Sequence, residues 1–190
     1  FFFKQKTAYE IVDCDWSSDV CSSDLDSLIG DVLKNVDLDN TIVVISSDHG
    51  EEFNDHKMNY WGHTGNYSDV QVHVPLYVYM PNRQPEQIDY RTTHFDVVPT
   101  MMNTLFDVQG TTSSYSVGHN LFDSSAPRDW YIAGSYYNYA LVGKELMLVV
   151  NPGGHSQQLN RQLKVEKEQK VPVDIIRHSL DEMSRFYKKG

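Results

Sequence analysis

The sequence predicts an α/β fold: helices against a mostly parallel sheet, followed by a small C-terminal antiparallel sheet and a terminal helix. Three observations carry this expectation. Apolar residues at Leu25, Leu28, Ile29, Val32, Leu33 and Val36 recur at the spacing of one helix face. The run TIVVIS, residues 41–46, is β-branched and apolar, as in a strand buried on both faces. Beyond residue 128, short strand-like runs are broken by Gly143 and by NPGG at 151–154, the pattern of a meander. A helix feeding a buried strand points to a parallel α/β sheet.

The remaining elements follow in order. VHVPLYVYM, residues 72–80, predicts a strand with Pro75 at its start or on an edge, because proline donates no ladder hydrogen bond. PNRQPEQ then reads as a loop. A second amphipathic helix is expected from Asp96, with Asp96 as N-cap, Pro99 in the first turn, and Val97, Met101, Thr104 and Leu105 on the buried side. RDWYIAGSY, YALVGKE and LMLVV form the meander, and QQLNRQLKVEKEQK reads as a solvated hairpin or loop. The tail places Ile175, Ile176, Leu180, Met183 and Phe186 or Tyr187 at helical spacing, with Lys188, Lys189 and Gly190 at the end.

Residues 1–25 stand apart. SSDV and SSDL recur five residues apart without a sustained helical or strand period, and the segment resembles translated sequencing adapter, so it is set aside from fold reasoning. The expected organisation is 1–25 non-native and 26–190 part of one domain, with 26–125 the α/β core and 126–190 the meander and last helix. Both cysteines, Cys14 and Cys21, fall in the first segment, so cysteine spacing says nothing of the rest.

The 190 residues are 40% hydrophobic, with a net charge of -10 and a pI near 5.1. Of 26 acidic and 16 basic residues, five acids and two lysines lie in residues 1–25, which leaves a net of -7. Such an acidic surface excludes nucleic acid as a natural partner. No apolar run reaches the 18 or so residues of a membrane span.

The chemistry concentrates in ISSDHGEEFNDHKMNYWGH, residues 45–63. Asp48, His49 and Gly50 follow an apolar strand, and ligands gather at the carboxyl ends of strands in parallel α/β sheets. An Asp oxygen and a His nitrogen form a mixed donor pair that suits zinc or manganese better than calcium, which prefers oxygen alone, and the divalent ion expected is zinc, manganese or magnesium. Gly50 lets the backbone turn tightly. On spacing alone, an ordinary polar turn competes with a metal site.

Other candidates carry bland alternatives. Ser46 and Ser47 read as strand-end residues before nucleophiles. Glu51 and Glu52 read as first-turn acids favoured by a helix dipole, with support of the metal histidine as the sharper option. His56 reads as exposed and His155 as loop. His73 reads as a hydrogen-bonded structural histidine on its strand, and His94 as a residue that orients the following helix. Tyr60 and Trp61 suit either a lipid or substrate pocket or core packing.

DNTIVVISSDHGEEF, YWGHTGNYSDVQVHVPLYVYMP and HFDVVPTMMNTLF, taken in order, resemble the carboxy-terminal half of the sulfatase and alkaline-phosphatase-like superfamily. NYWGHTGNYS most resembles its YejM (PbgA)-type inner-membrane branch. The resemblance implies part of a sulfatase-like sandwich on the periplasmic side of an inner membrane. It puts Asp48 and His49 on a divalent-metal pair and His63 on a catalytic or substrate-binding position. Many sulfatases carry Lys where His63 stands, and often Asn where His49 stands; the phosphoethanolamine-transferase branch carries His at position 63. Sulfate-ester hydrolysis is thereby disfavoured.

The nucleophile and further acidic ligands are implied to lie upstream, so the chain alone is expected to be inactive. Two roles stay open: a sensor of lipid A or lipopolysaccharide in envelope homeostasis, and a metal-dependent phosphatase or phosphoethanolamine-type transferase. A lipid head group or lipopolysaccharide is the implied partner, with a protein partner left open.

Overall fold

The structure is a computed structural model and describes residues 18–108, 110–125 and 128–185, with side chains from residue 23 onward. The described residues divide into two compact units, 18–45 with 76–84, and 46–75 with those from 85 to 185.

In the first unit, helix α1 (Ser18–Leu33) precedes strand β1 (Val43–Ser46), which pairs with β4 (Leu76–Tyr79). The helix starts inside the segment set aside above, because elongation of a formed helix costs far less than its nucleation. Its predicted stripe is present but largely uncovered: Leu25 and Leu28 are more than half exposed. Strand β1 differs from expectation in the same way. It alternates half-buried and exposed residues and is not buried on both faces, since only one neighbouring strand flanks it among the described residues. The mostly parallel sheet expected from the sequence is not shown: among the described residues β1 pairs with β4 alone. Tyr79 donates its hydroxyl to the Leu38 carbonyl at 3.1 Å and fixes the turn before β1.

The second unit begins with the loop that holds the candidate site. Within it, β2 (Glu52–Phe53) and β3 (Trp61–Gly62) form a short antiparallel ladder. The predicted strand from residue 72 starts later, because Asp69–Val72 close a helical turn, α2, and His73 caps it. Pro75 marks the end of that turn and the approach to β4, the start position foreseen for it.

A 3₁₀ turn (His94–Asp96) runs into α3 (Val97–Phe106). The cap is Thr93 rather than Asp96, in a reciprocal capping box where the Asp96 carboxylate accepts from the Thr93 backbone. The buried side also departs from the apolar pattern: Asp96, Pro99 and Thr100 are inside, while Thr104 and Leu105 are exposed. Hydrogen bonds decide this face. Thr100 donates to the Asp96 carbonyl and accepts from the Leu121 N–H, both at 2.7 Å, and Arg128 meets the Asp96 carboxylate at 2.8 Å.

The meander is a four-stranded antiparallel sheet of β5 (Tyr131–Gly134), β6 (Tyr139–Val142), β7 (Leu146–Val150) and β8 (Ser156–Asn160). Its fourth strand comes from the Gln-rich stretch read as a hairpin or loop, which pairs Leu159 with Met147 across the ladder. One face carries Ala140, Val142, Met147 and Val149, which pack with Tyr67 and Leu163 as the core. Helix α4 (Val173–Ser184) carries Ile176, Leu180 and Met183, which border a cavity of about 230 Å³ with Tyr139, Leu141 and Leu148 of the other face. Phe186, Tyr187, Lys188, Lys189 and Gly190 lie outside the described residues.

Candidate functional site

Strand β1 ends at Ser46, and the chain turns at once to present Asp48 and His49. Both serines before them are committed to structure. Ser46 Oγ donates to the Pro75 carbonyl at 2.8 Å and lies 3.1 Å from His94 Nε2, while Ser47 Oγ donates to the His49 carbonyl at 2.6 Å. His94 therefore ties the helix start to the strand end. Gly50 is required less for turning than for close approach: a Cβ there would penetrate the Val70 carbonyl, against which Gly50 N–H bonds Gln71 O at 2.8 Å.

The three site residues named from sequence come together. The His49 and His63 rings stack with centroids 4.1 Å apart and planes 25° from parallel. Asp48 Oδ1 accepts from the His49 backbone N–H at 2.9 Å, and its Oδ2 lies 3.7 Å from His49 Nε2. His49 Nδ1 lies 3.0 Å from the Gly50 carbonyl. A carbonyl only accepts, so Nδ1 carries the hydrogen of that bond, which leaves Nε2 on the side of the Asp48 carboxylate. Metal-binding histidines are oriented in this way.

His63 is held by its backbone. Tyr60 donates its hydroxyl to the His63 carbonyl at 2.7 Å and accepts from Gly65 N–H at 2.9 Å. Tyr60 thus pins the loop, and its ring fills the space a side chain at 65 would need. Trp61 is 59% exposed and packs in no core. Glu51 Oε2 approaches His63 Nδ1 at 3.8 Å. Asp48, His49, His63 and Thr64 line an open cleft of about 370 Å³ together with Gly134, Ser135 and Tyr136.

Beneath this loop Glu52 is fully buried, on a strand rather than a helix as first read. Its carboxylate accepts from His56 Nδ1, Asn66 Nδ2 and Ser68 Oγ at 2.9 Å each, and from Gln71 Nε2 at 3.3 Å. Burial pushes its pKa up, but hydrogen bonds from Asn66, His56, Ser68 and Gln71 outweigh burial and hold it at about 2. His56 is accordingly half-buried and bonded, not exposed. Gln71 extends the network to Thr64, whose N–H bonds Gln71 Oε1 at 3.0 Å. Thr64 has φ 74°, and Asn54, Lys57 and Asn59 of the same loop are also left-handed. Of these four, Thr64 lines the cleft.

Sequence reasoning missed Glu52 with His56, Thr64, and the Ser135–Tyr136 tip. A visible signal for the last is the pair of tyrosines in SYYN, where a turn favours small polar residues. His73 is an exposed helix cap, not a strand residue, and His155 sits in its loop as expected.

Asp48 and His49 fit a divalent cation in donor type and orientation. They do not complete a site: no group of three or more such donors is assembled among the described residues, and protein sites for zinc use three or four.

Residues 17–108 match the Sulfatase family. An uncharacterized protein of Haemophilus influenzae is 26% identical over 171 residues, 87% of this chain and 28% of that protein. The inner membrane protein YejM of Salmonella typhimurium is 27% identical over 169 residues, 87% of this chain and 28% of that protein. The uncharacterized sulfatase YidJ of Escherichia coli is 34% identical over 92 residues, 47% of this chain and 18% of that protein. The chain thus spans little more than a quarter of the curated relatives it matches along most of its length. The solved structure of BT4656 in complex with its substrate D-glucosamine-2-N,6-O-disulfate superposes with a TM-score of 0.52 at 17% identity, covering 88% of this chain and 40% of that one. This likeness supports an α/β sulfatase-like fold. No helix among the described residues is long and apolar enough to cross a membrane.

Proposed function

We propose, on the premise that residues 17–108 are a segment of a sulfatase-family domain related to YejM, that this chain is the carboxy-terminal part of a membrane-anchored, periplasmic sulfatase-like domain. In this reading it completes a mostly parallel sheet with strands supplied by the rest of the domain. Asp48 and His49 hold part of a divalent-metal site there, for zinc, manganese or magnesium, and His63 faces the anionic ester of a lipid head group or lipopolysaccharide. The biological role is envelope homeostasis through lipid A or lipopolysaccharide. The carrying observation is the orientation of His49: Nδ1–H bonded to the Gly50 carbonyl, Nε2 turned to Asp48.

When bound, the metal supplies Lewis-acid polarisation of a phosphoryl or sulfuryl oxygen. The chain's own residues orient and enclose. Gly50 keeps the His49 ring against the loop, Tyr60 fixes the His63 backbone, and the Glu52 network fixes Thr64 at the cleft wall. Ser46 and Ser47 donate their hydroxyl hydrogens to carbonyls, so neither is poised as a nucleophile. The 190-residue chain is therefore expected to leave p-nitrophenyl phosphate and p-nitrophenyl sulfate unhydrolysed.

A metal-dependent phosphatase or phosphoethanolamine-type transferase is the second reading, favoured by the histidine at 63. Isothermal titration with zinc and with manganese tests the shared metal site. The wild-type chain should bind, and Asp48→Ala with His49→Ala should weaken binding at least tenfold. Equal affinity in the double variant would end the assignment.

A further inference from the structure

The outer face of the four-stranded sheet is under-filled where α4 lies against it. Cross-strand partners share a face, so the register puts Leu141 beside Leu148, and Tyr139 beside Val150 and then Ser156. On α4 the residues turned to that face are Ile176, Ser179, Leu180 and Met183, at the i, i+3, i+4, i+7 spacing of an amphipathic stripe. Such a stripe takes large apolar residues through its middle when it packs on a sheet. Here the middle is Ser179, buried at 8% exposure, and the sheet side of the same space is bordered by Ser156 and Gly154. A Cβ added at Gly154 would meet nothing within 4 Å. These small residues leave the cavity of about 230 Å³ between helix and sheet.

An empty space of this kind is unfavourable, because its lining loses the dispersion contacts that a filled interior makes. Water fills it poorly. A buried water takes about three polar partners, and apart from the hydroxyls of Tyr139, Ser156 and Ser179 the side chains here are aliphatic or thioether. Size decides the kind of guest. Packed layers stand about 10 Å apart, so no further helix or strand fits in a gap already bounded by both walls. At about 30 Å³ for each water-sized group, the volume holds roughly eight heavy atoms. The lining runs along β6 and β7 from Leu141 and Leu148 to Tyr139 and Val150 and on to Gly154, so the space is elongated and suits an unbranched chain. Charge decides the head group. None of the lining residues is acidic or basic, and a charge buried without a partner is strongly disfavoured. An uncharged head belongs at the open margin, where Gly154 and Ser156 are exposed and the Ser156 hydroxyl can bond to it. Met183 borders the space from the helix with a flexible side chain that adapts to a guest.

We propose that the groove between α4 and the outer sheet face binds an unbranched aliphatic molecule of about eight carbons with an uncharged polar head, such as a medium-chain alcohol. The groove shares no lining residue with the cleft at Asp48, His49 and His63, and the inference does not rest on the reading of that cleft. Ser179 sets the depth of the site.

Calorimetric titration and saturation-transfer NMR on the full 190-residue chain test it, with 1-octanol, octanoate and benzene as probes. Wild type should take up 1-octanol saturably, with saturation strongest at the methyl end of its chain. Ser179→Leu and, separately, Ser156→Val should each weaken it by about tenfold or more, since both put side-chain carbons where the guest lies. Both variants should melt no lower than wild type, as substitutions that fill a cavity do. Ser156→Val lies on an exposed strand margin, so it tests the groove without touching the helix. Asp48→Ala with His49→Ala should leave octanol binding unchanged. Octanol uptake that survives both groove substitutions belongs to another surface and would overturn the proposal. So would octanoate bound as tightly as octanol at neutral pH, which removes the uncharged head, or benzene bound more tightly than either, which removes the extended chain. A loss of self-association in Ser179→Leu with octanol binding unchanged would give the groove to a second copy of the chain and overturn it as well.

Discussion

Glu52 shows how one side chain can set the behaviour of a loop. Its pKa falls from an ordinary 4.5 to about 2, so its contribution to stability is fully present above pH 4.5 and is lost as pH falls toward 2. By linkage that contribution is about 3 kcal/mol at most. Urea melts at pH 6, 4 and 3 should show the loss confined to the lower two, and Glu52→Gln should flatten this dependence. Glu52→Ala should destabilise by about 3 kcal/mol or more, since it leaves Asn66, Ser68, Gln71 and His56 without their shared acceptor. A variant that melts like wild type would show that the network carries no stability. From sequence, Glu52 was indistinguishable from its neighbour Glu51, because burial depends on which way each side chain faces at the start of a two-residue ladder. Asp48, His49 and His63 were named from residue type together with the family resemblance, and the structure brings them to one cleft.

Elements were legible where an apolar period met an exposed opposite face, and misread where hydrogen bonds selected the buried side. The meander follows its sequence breaks at Gly143 and NPGG closely. Strand β8 falls in the stretch read as a hairpin or loop, and its pairing was left open because its Gln side chains lie on a sheet edge, where polarity says little about pairing. Helix α3 was placed correctly but turned wrongly, because Thr100 and Asp96 are buried through their bonds to Leu121 and Arg128. Tight approaches between elements were equally hidden. Gly50 sits where a methyl group would run into the Val70 carbonyl, so Gly50→Ala must displace the backbone that carries Asp48 and His49. The expected cost is about 1–3 kcal/mol, the range for overpacking a filled site. Differential scanning fluorimetry gives the stability loss, and zinc titration of the same variant should show weaker binding; unchanged values for both would mean that the loop yields freely.

At the scale of the whole molecule, the two units differ in how well they cover themselves. The second has a continuous core on one face of its four-stranded sheet, with Ala140, Val142 and Met147 fully enclosed. In the first, Leu25, Leu28, Val32, Val44 and Tyr77 are exposed at 57%, 55%, 40%, 40% and 66%. Apolar area of that density on a soluble chain drives association. The net charge of -10 opposes it through repulsion, and salt screens repulsion over about 8 Å at physiological ionic strength. Self-association should therefore rise with salt as well as with concentration, which distinguishes it from contacts made by ion pairs. Sedimentation velocity at low and moderate salt should show the weight-average mass grow in the second. Leu25→Lys with Leu28→Lys should suppress that growth, because the substitutions place charge in the uncovered stripe and remove no buried contact. Metal binding at Asp48 and His49 should be unaffected, since those residues belong to the other unit. A mass that falls as salt is raised would mean that charge, not the apolar stripe, holds the chains together.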